Sequence, residues 1–141
     1  MFTRPESLLV RDGLLDCSRS LLRGYAKVEP LRTVSHMSPD ETAFLSRQYW
    51  LSLATASSTG SVDILTGAYV LVSETQIAVF CDELTKTVAY LNVIRNSSVV
   101  FSVFEHSTGT ELQARGQASI GELDGTECVI VRYTETRILQ H

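Results

Sequence analysis

The spacing of apolar residues changes near residue 50, and this change limits the folds open to the chain. From Tyr49 onward the period is mostly two, which is typical of half-buried strands. The β-rich runs are "YWLSLATA", "SVDILTGAYVLV", "QIAVFC", "SVVFSVF" and "ELQARGQASI". Turn-forming residues at 57–60 and 73–75 separate the first three runs. These three runs therefore predict an antiparallel meander.

One helical segment interrupts the strands. It is "LTKTVAYLNVIRN", which ends in Arg95, a cation suited to a last turn, and Asn96, which tolerates a left-handed cap. The tail "GTECVIVRYTETRILQH" could be a strand or a helix, and the β-branched residues of "CVIVRY" favour a strand. The predicted order from residue 49 is thus β-β-β-α-β-β, with a further strand favoured in the tail.

The fifth run has one small, apolar face and one polar face. Its first set of alternating residues is Leu112, Ala114, Gly116, Ala118 and Ile120, and its second is Gln113, Arg115, Gln117 and Ser119. Small inward-facing residues suit a closed barrel, and closure also removes exposed sheet edges. We therefore expect a mainly β fold, a barrel of about six antiparallel strands with flanking helices.

Helices are expected before residue 50. In "SPDETAFLSRQYW", Ser38 is suited to the N-cap, Pro39 to the first helical position and Glu41 to the reciprocal capping contact, so this helix should start at Pro39. In "SLLVRDGLLDCSRSLLRGYAKV", leucines recur seven residues apart, which suits an amphipathic helix. We divide the 141 residues into an N-terminal helical extension, 1–37, and a barrel domain, 38–141, within one globular unit.

Composition excludes several classes of partner. The net charge is −4 and there is no run of Lys or Arg, which argues against nucleic acid and anionic membranes. Three widely spaced cysteines and three scattered histidines show no metal-ligand spacing, so no metal site is predicted. No apolar run is long enough to span a membrane. We expect a cytoplasmic protein that binds a small molecule or another protein.

Two hydroxyls and an ammonium stand where the third strand passes into the helix, at Thr85, Lys86 and Thr87. Backbone N–H groups at a helix start carry partial positive charge, so these side chains would complete an anion site. The other interpretation is that either threonine only caps the helix and that Lys86 is an ordinary surface residue. From the residues alone, capping or solvation is favoured.

The order of four segments resembles the pyridoxamine 5'-phosphate oxidase-like, FMN-binding split-barrel proteins. The segments are "FLSRQYWLSLATASSTGSVDI", "QIAVFC", "TKTVAYLNVIRNSSVVFSVF" and "QARGQASIGE". In that family a helix leads into "LAT" and a turn, and a hydroxyl-plus-basic segment precedes a helix that ends in Asn. A strand with a Gly-basic-Ala core follows. The resemblance covers about residues 38 to 122 by strand spacing.

The resemblance implies a split barrel that binds FMN and acts as an oxidase or reductase on a small organic substrate. Such proteins are typically homodimers with two FMN sites between the subunits. A second hypothesis is a non-catalytic binding or sensor protein that holds a flavin, haem or a deazaflavin. A third is an interaction module that has lost its ligand. The resemblance indicates no catalytic residue.

The resemblance also makes the helix start a phosphate site. Counting from Cys81 places Thr85 and Lys86 on the family's hydroxyl and first basic positions, whereas counting back from Asn96 places Thr87 on the hydroxyl position. The second count puts Val88 and Ala89 on the basic positions and leaves Lys86 as a displaced cation. Where pyridoxamine phosphate oxidases place a phosphate-assisting Arg, this chain has Leu65.

The flavin ring is expected along the second strand, beside Leu65, Thr66, Gly67 and Ala68. Gly67 would let the ring approach the backbone closely, or it would only let a barrel strand bend. Phe80 and Cys81 are expected near the ribityl chain, although both residue types are common in cores. Gln113 and Arg115 are expected to reach the cofactor from the partner subunit, with solvent exposure as the alternative.

Overall fold

Six long antiparallel strands close into a barrel in the computed structural model, which describes residues 37–141 and the backbone of residues 27–28 and 32–33. The long strands are β3 (Trp50–Ala56), β4 (Val62–Leu71), β5 (Gln76–Phe80), β6 (Ser98–Glu105), β7 (Thr110–Leu123) and β8 (Thr126–Gln140). They are ordered β8-β5-β4-β3-β6-β7, and the β7–β8 pairing closes the ring. The mainly β barrel and the strand in the tail are confirmed.

Two short strands precede the barrel. They are β1 (Lys27–Val28) and β2 (Arg32–Thr33), and both pair antiparallel with β8. The predicted N-terminal helix lies outside the described residues except for its last two, and these are extended.

The barrel interior is filled by the inward face of each strand. Its largest buried members include Leu53, Phe101, Leu112 and Tyr133. The register shifts between Arg115 and Gly116, where β8 carries an extra residue. A side chain at Gly116 would put its Cβ 2.3 Å from the carbonyl oxygen of Arg132, so the bulge requires glycine.

The first helix, α1 (Pro39–Ser46), begins as predicted. The Ser38 hydroxyl accepts a hydrogen bond from the Glu41 N–H, and the Glu41 carboxylate accepts one from the Ser38 N–H. The helix then buries Phe44 and Leu45 against the core. This capping box fixes where the chain turns towards β3.

The segment predicted as one helix after β5 is two. A 3-10 helix (Leu84–Lys86) precedes α2 (Val88–Arg95), and Thr87 between them is extended. Asn96 is the C-cap of α2, with an extended conformation (φ −144°) and not a left-handed one, and its Oδ1 accepts a hydrogen bond from the Ser98 N–H. The chain thus leaves α2 already extended for β6. Neither α1 nor α2, the α-helices of the described residues, is long and apolar enough to cross a membrane.

Candidate functional site

Strand β4 has an open edge over its first half. The register with β5 runs only from Ala68 to Leu71, whereas the register with β3 covers residues 62 to 68. The Tyr69 N–H donates to the Tyr49 carbonyl of the segment that leads into β3. The backbone N–H and C=O groups of Tyr69 and of every second residue before it therefore point towards β3, and those of the residues in between point towards the β5 side. The N–H and C=O of Thr66 and Ile64 therefore point to an edge where no described strand pairs with them.

The outer face beside this edge carries an apolar row. Trp50 is opposite Ala68, and Ala68 is opposite Phe80, so the three side chains lie on the same face. The flanking residues Leu51, Tyr69 and Val79 belong to the interior core, which places the row outside. Thr66 is exposed two residues along β4 on the same face. A planar ligand above Ala68 would have an aromatic group on each side and the open edge at one end.

Gly67 is required by the neighbouring strand. A Cβ at this position would lie 2.5 Å from the carbonyl oxygen of Phe80 and 3.1 Å from Cγ1 of Val79. The position is buried and on the interior side of β4. The close approach that glycine permits is thus made by β5, at the point where the β4–β5 pairing ends.

The turn after β5 contains the three residues predicted to bind phosphate. Glu83 is left-handed, with φ 53°, and the 3-10 helix follows it. The Thr87 hydroxyl donates to the Leu84 carbonyl at 2.7 Å and accepts from the Tyr90 N–H at 3.1 Å. Its proton is therefore committed to the backbone, and Thr87 is the N-cap of α2.

Thr85 and Lys86 are both exposed. The Lys86 Nζ lies 3.6 Å from Oε1 of Glu83, and the two side chains are 75% and 68% exposed. Asp82 adds a second carboxylate to the same turn. The turn offers one hydroxyl and one ammonium to an anion, and two carboxylates oppose that anion.

Two other predicted residues face the core. Leu65 and Cys81 both pack against the interior cluster. Burial, with a smaller effect from the charge of Asp82, raises the pKa of the Cys81 thiol, so it is neutral at physiological pH. Any contact from these two positions to a ligand on the outer face would come from the backbone.

The β7 residues lie elsewhere on the barrel. Strands β3 and β6 separate β4 from β7, three strand spacings or roughly 14 Å along the sheet. Gln113 is only 1% exposed, and its amide donates to Glu111 and accepts from Nε of Arg137 at 2.9 Å. Arg115 pairs with Glu135 at 2.9 Å. Within one chain, the structure does not bring these two residues to the β4 group.

Sequence reasoning missed Trp50. It is the single tryptophan of the chain, and it is 64% exposed. The sequence did contain a signal. Leu51 and Leu53 are the apolar residues that face the core, and Trp50 alternates with them, so its side chain belongs to the outer face. A large apolar side chain that is exposed beside an open strand edge is a feature of binding surfaces.

Comparison with solved structures identifies the fold. The barrel is similar to a Lactobacillus delbrueckii protein provisionally named a pyridoxamine 5'-phosphate oxidase, with a TM-score of 0.65 and 16% identity over 77% of this chain and 99% of that chain. It is similar to the FAD-binding protein of Mycobacterium smegmatis, with a TM-score of 0.57 and 18% identity over 77% and 100%.

A third similar structure is the haem storage protein HutZ of Vibrio cholerae, with a TM-score of 0.55 and 15% identity over 73% of this chain and 93% of that chain. No protein-family model matches the sequence, and no curated protein matches it significantly. The chain has the pyridoxamine 5'-phosphate oxidase-like split-barrel fold, which confirms the fold that the motif order indicated.

Proposed function

We propose that this protein binds a flavin, FMN, over the outer face of β4 and acts as an oxidoreductase on a small organic molecule. The observation that carries the proposal is the open edge of β4 at Ile64 and Thr66 beside the small side chain of Ala68. Backbone N–H and C=O groups that no described strand pairs with match the hydrogen-bonding edge of an isoalloxazine ring, and alanine leaves space for the ring itself.

The ring end of the site fits a flavin better than the phosphate end does. We propose that Thr66, Ala68 and Phe80 contact the ring and ribityl chain. The backbone polar groups of Leu65 and Gly67 pair with β3, so these two residues would only shape the strand beneath the ring, and Cys81 would contribute its backbone. At the turn, Thr85 and Lys86 would bind the phosphate beside the start of α2. Thr87 would shape this turn through its capping bonds. With Glu83 and Asp82 nearby, we expect the phosphate to add little affinity.

We also propose a homodimer with the flavin between the subunits. A ring on an outer face stays open to solvent, whereas ligand sites generally bury most of their ligand. Exposed apolar residues suited to a partner lie on β4 and on α2: Val70 is 45% exposed, and Val88, Leu91 and Ile94 are 55%, 51% and 59% exposed. Gln113 is not part of this interface proposal, because its side chain is already buried within its own chain.

A bound flavin would supply the two-electron chemistry, and the chain would orient it. The outer face offers no titratable side chain on the Trp50, Ala68 and Phe80 row, so we assign no general acid or base there. The residues described would hold the ring and limit solvent access once a second subunit covers it. The substrate would be a small organic molecule that exchanges two electrons with the flavin.

A second candidate is a non-catalytic binding protein for haem or a deazaflavin. Its support is the sparse positive charge of the turn, together with the similarity in fold to a haem storage protein. Such a protein would use the same outer face, without turnover.

Absorption spectra test the proposal. The purified protein would be titrated with FMN, riboflavin and haemin, and the bound ligand identified by flavin bands or by a Soret band. Saturable FMN binding, followed by anaerobic oxidation of a reduced nicotinamide, supports a flavin oxidoreductase. FMN binding without turnover indicates a binding protein. Haemin binding with no response to FMN would overturn the flavin proposal.

A further inference from the structure

We propose that Trp50 and Phe80 form the two walls of an aromatic slot, with Ala68 as its floor, and that this slot selects a flat conjugated ring. The inference rests on the proposed flavin function and names the residues that recognise the ring. Its starting point is the register, which places the three residues in one row across β3, β4 and β5.

The spacing of the row fits one ring. Trp50 and Ala68 form a narrow pair and Ala68 and Phe80 a wide pair, so Trp50 and Phe80 are separated by roughly 10 Å at their Cα atoms. Two aromatic contacts in series, each with about 4.5–7 Å between centroids, span about 9–14 Å. A single planar ring between the two walls therefore makes a favourable contact with each.

The exposure of Trp50 supports this role. At 64% exposed, its indole is not a core residue, although tryptophan is among the side chains that gain most from burial. The floor must be small, because any longer side chain at position 68 would fill the slot. The row is uncharged, so it recognises shape and conjugation, and the separate turn at Lys86 would recognise a phosphate.

This division predicts that ring binding is independent of the phosphate. Riboflavin, which lacks the phosphate, is the probe for the slot. Trp50→Ala is expected to lower riboflavin affinity roughly 5- to 150-fold, the range for loss of one aromatic stacking partner. Trp50→Phe keeps a ring at the wall, so it should retain most of the affinity.

Tyr49→Ala is the matched control. Tyr49 immediately precedes Trp50 and β3, is 75% exposed and alternates with Trp50, so it does not belong to the row and its loss should leave riboflavin affinity unchanged. A second readout is flavin emission, which a stacked indole quenches by contact. Bound riboflavin should be dark in the wild-type protein and brighter in Trp50→Phe.

The outcomes separate this inference from the proposed function. If wild-type protein binds no flavin, the proposed function fails and the slot with it. If wild-type protein binds riboflavin but Trp50→Ala binds it equally well and equally dark, the slot is wrong and the flavin function stands. Because Trp50 is exposed, its replacement should leave the thermal unfolding midpoint nearly unchanged, and circular dichroism would verify the fold of each variant.

Discussion

The side-chain amide of Asn92 donates a hydrogen bond of 3.0 Å to the hydroxyl of Thr55, and this contact joins α2 to the end of β3. Both residues are buried, Thr55 at 0% and Asn92 at 6% exposure. The bond therefore fixes α2 relative to the sheet. It also positions the 3-10 turn before α2, where the proposed phosphate contacts lie.

Replacing Asn92 by Ala should destabilise the protein by about 1–3 kcal/mol, because the buried Thr55 hydroxyl then loses its partner. Thr55→Val should cost a similar amount. The double variant should cost less than the sum of the two, by more than about 0.5 kcal/mol, if the two groups interact directly. Urea unfolding of all four proteins measures this coupling. Strict additivity would contradict it.

Sequence periodicity predicted the strands because alternate residues lie in two different environments, one set in the barrel interior and the other on its outer face. Leu51 and Leu53 face the interior, and the parity of the chain then places Trp50 outside. Periodicity could not predict the burial of Gln113. The buried amide is hydrogen-bonded to Arg137, which lies 24 residues further along the chain in β8. A polar face is solvated or buried according to such distant partners.

The turn before α2 was harder to predict for a related reason. Thr85 and Thr87 have the same local propensity, and only the fold shows which hydroxyl caps the helix. The two alignments of the phosphate segment differed by this same two-residue step. The structure commits the Thr87 hydroxyl to the backbone and leaves the Thr85 side chain exposed, a distinction that no spacing rule contains.

Alkaline pH should destabilise the fold. Burial raises the pKa of Tyr69 well above its usual 10.0, and it raises the pKa of Tyr133 to about 12. The folded state therefore holds these protons more tightly than the unfolded state does. Stability should be complete below about pH 10 and fall as pH rises further, by at most about 1.4 kcal/mol per pH unit for each tyrosine.

Tyr69→Phe tests this origin. At neutral pH the variant should lose about 0.5–1.5 kcal/mol, because the Tyr69 hydroxyl donates at 2.6 Å to the Leu45 carbonyl, which keeps a second donor in the Gln48 N–H. Above pH 10 its stability should fall less steeply than that of the wild-type protein. An equal slope in both proteins, measured by urea unfolding at several pH values, would exclude Tyr69 as a source.

Gly67→Ala should separate β4 from β5. The new Cβ would lie 2.5 Å from the Phe80 carbonyl oxygen, which is backbone and cannot rotate away, so we expect a cost of about 1–3 kcal/mol. Gly121→Ala is the control, since its nearest atom, at 2.8 Å, is Cγ1 of the Ile130 side chain, which can adjust. Thermal unfolding should show the larger loss at Gly67. Equal losses would mean that the strand contact does not require glycine.

Charge at the turn should tune FMN affinity in both directions. Lys86 lies 3.6 Å from Glu83, and both are mostly exposed, so each should change phosphate binding by only about 0.2–1 kcal/mol, or up to roughly fivefold. Lys86→Ala removes the ammonium and should weaken FMN. Glu83→Gln removes the opposing carboxylate and should strengthen it. Because riboflavin lacks the phosphate, its affinity should stay unchanged in both variants.

The ratio of FMN to riboflavin affinity isolates this effect from any change in the ring site. This ratio should fall in Lys86→Ala and rise in Glu83→Gln. As salt is added, the ratios of both variants should approach that of the wild-type protein, because exposed charges are screened over about 10 Å at moderate ionic strength. Arg95→Ala is a matched control, since it removes an exposed cation from the opposite end of α2. Fluorescence titration at low and high salt measures all three. A ratio that follows Arg95 and ignores Lys86 would place the phosphate away from the start of α2.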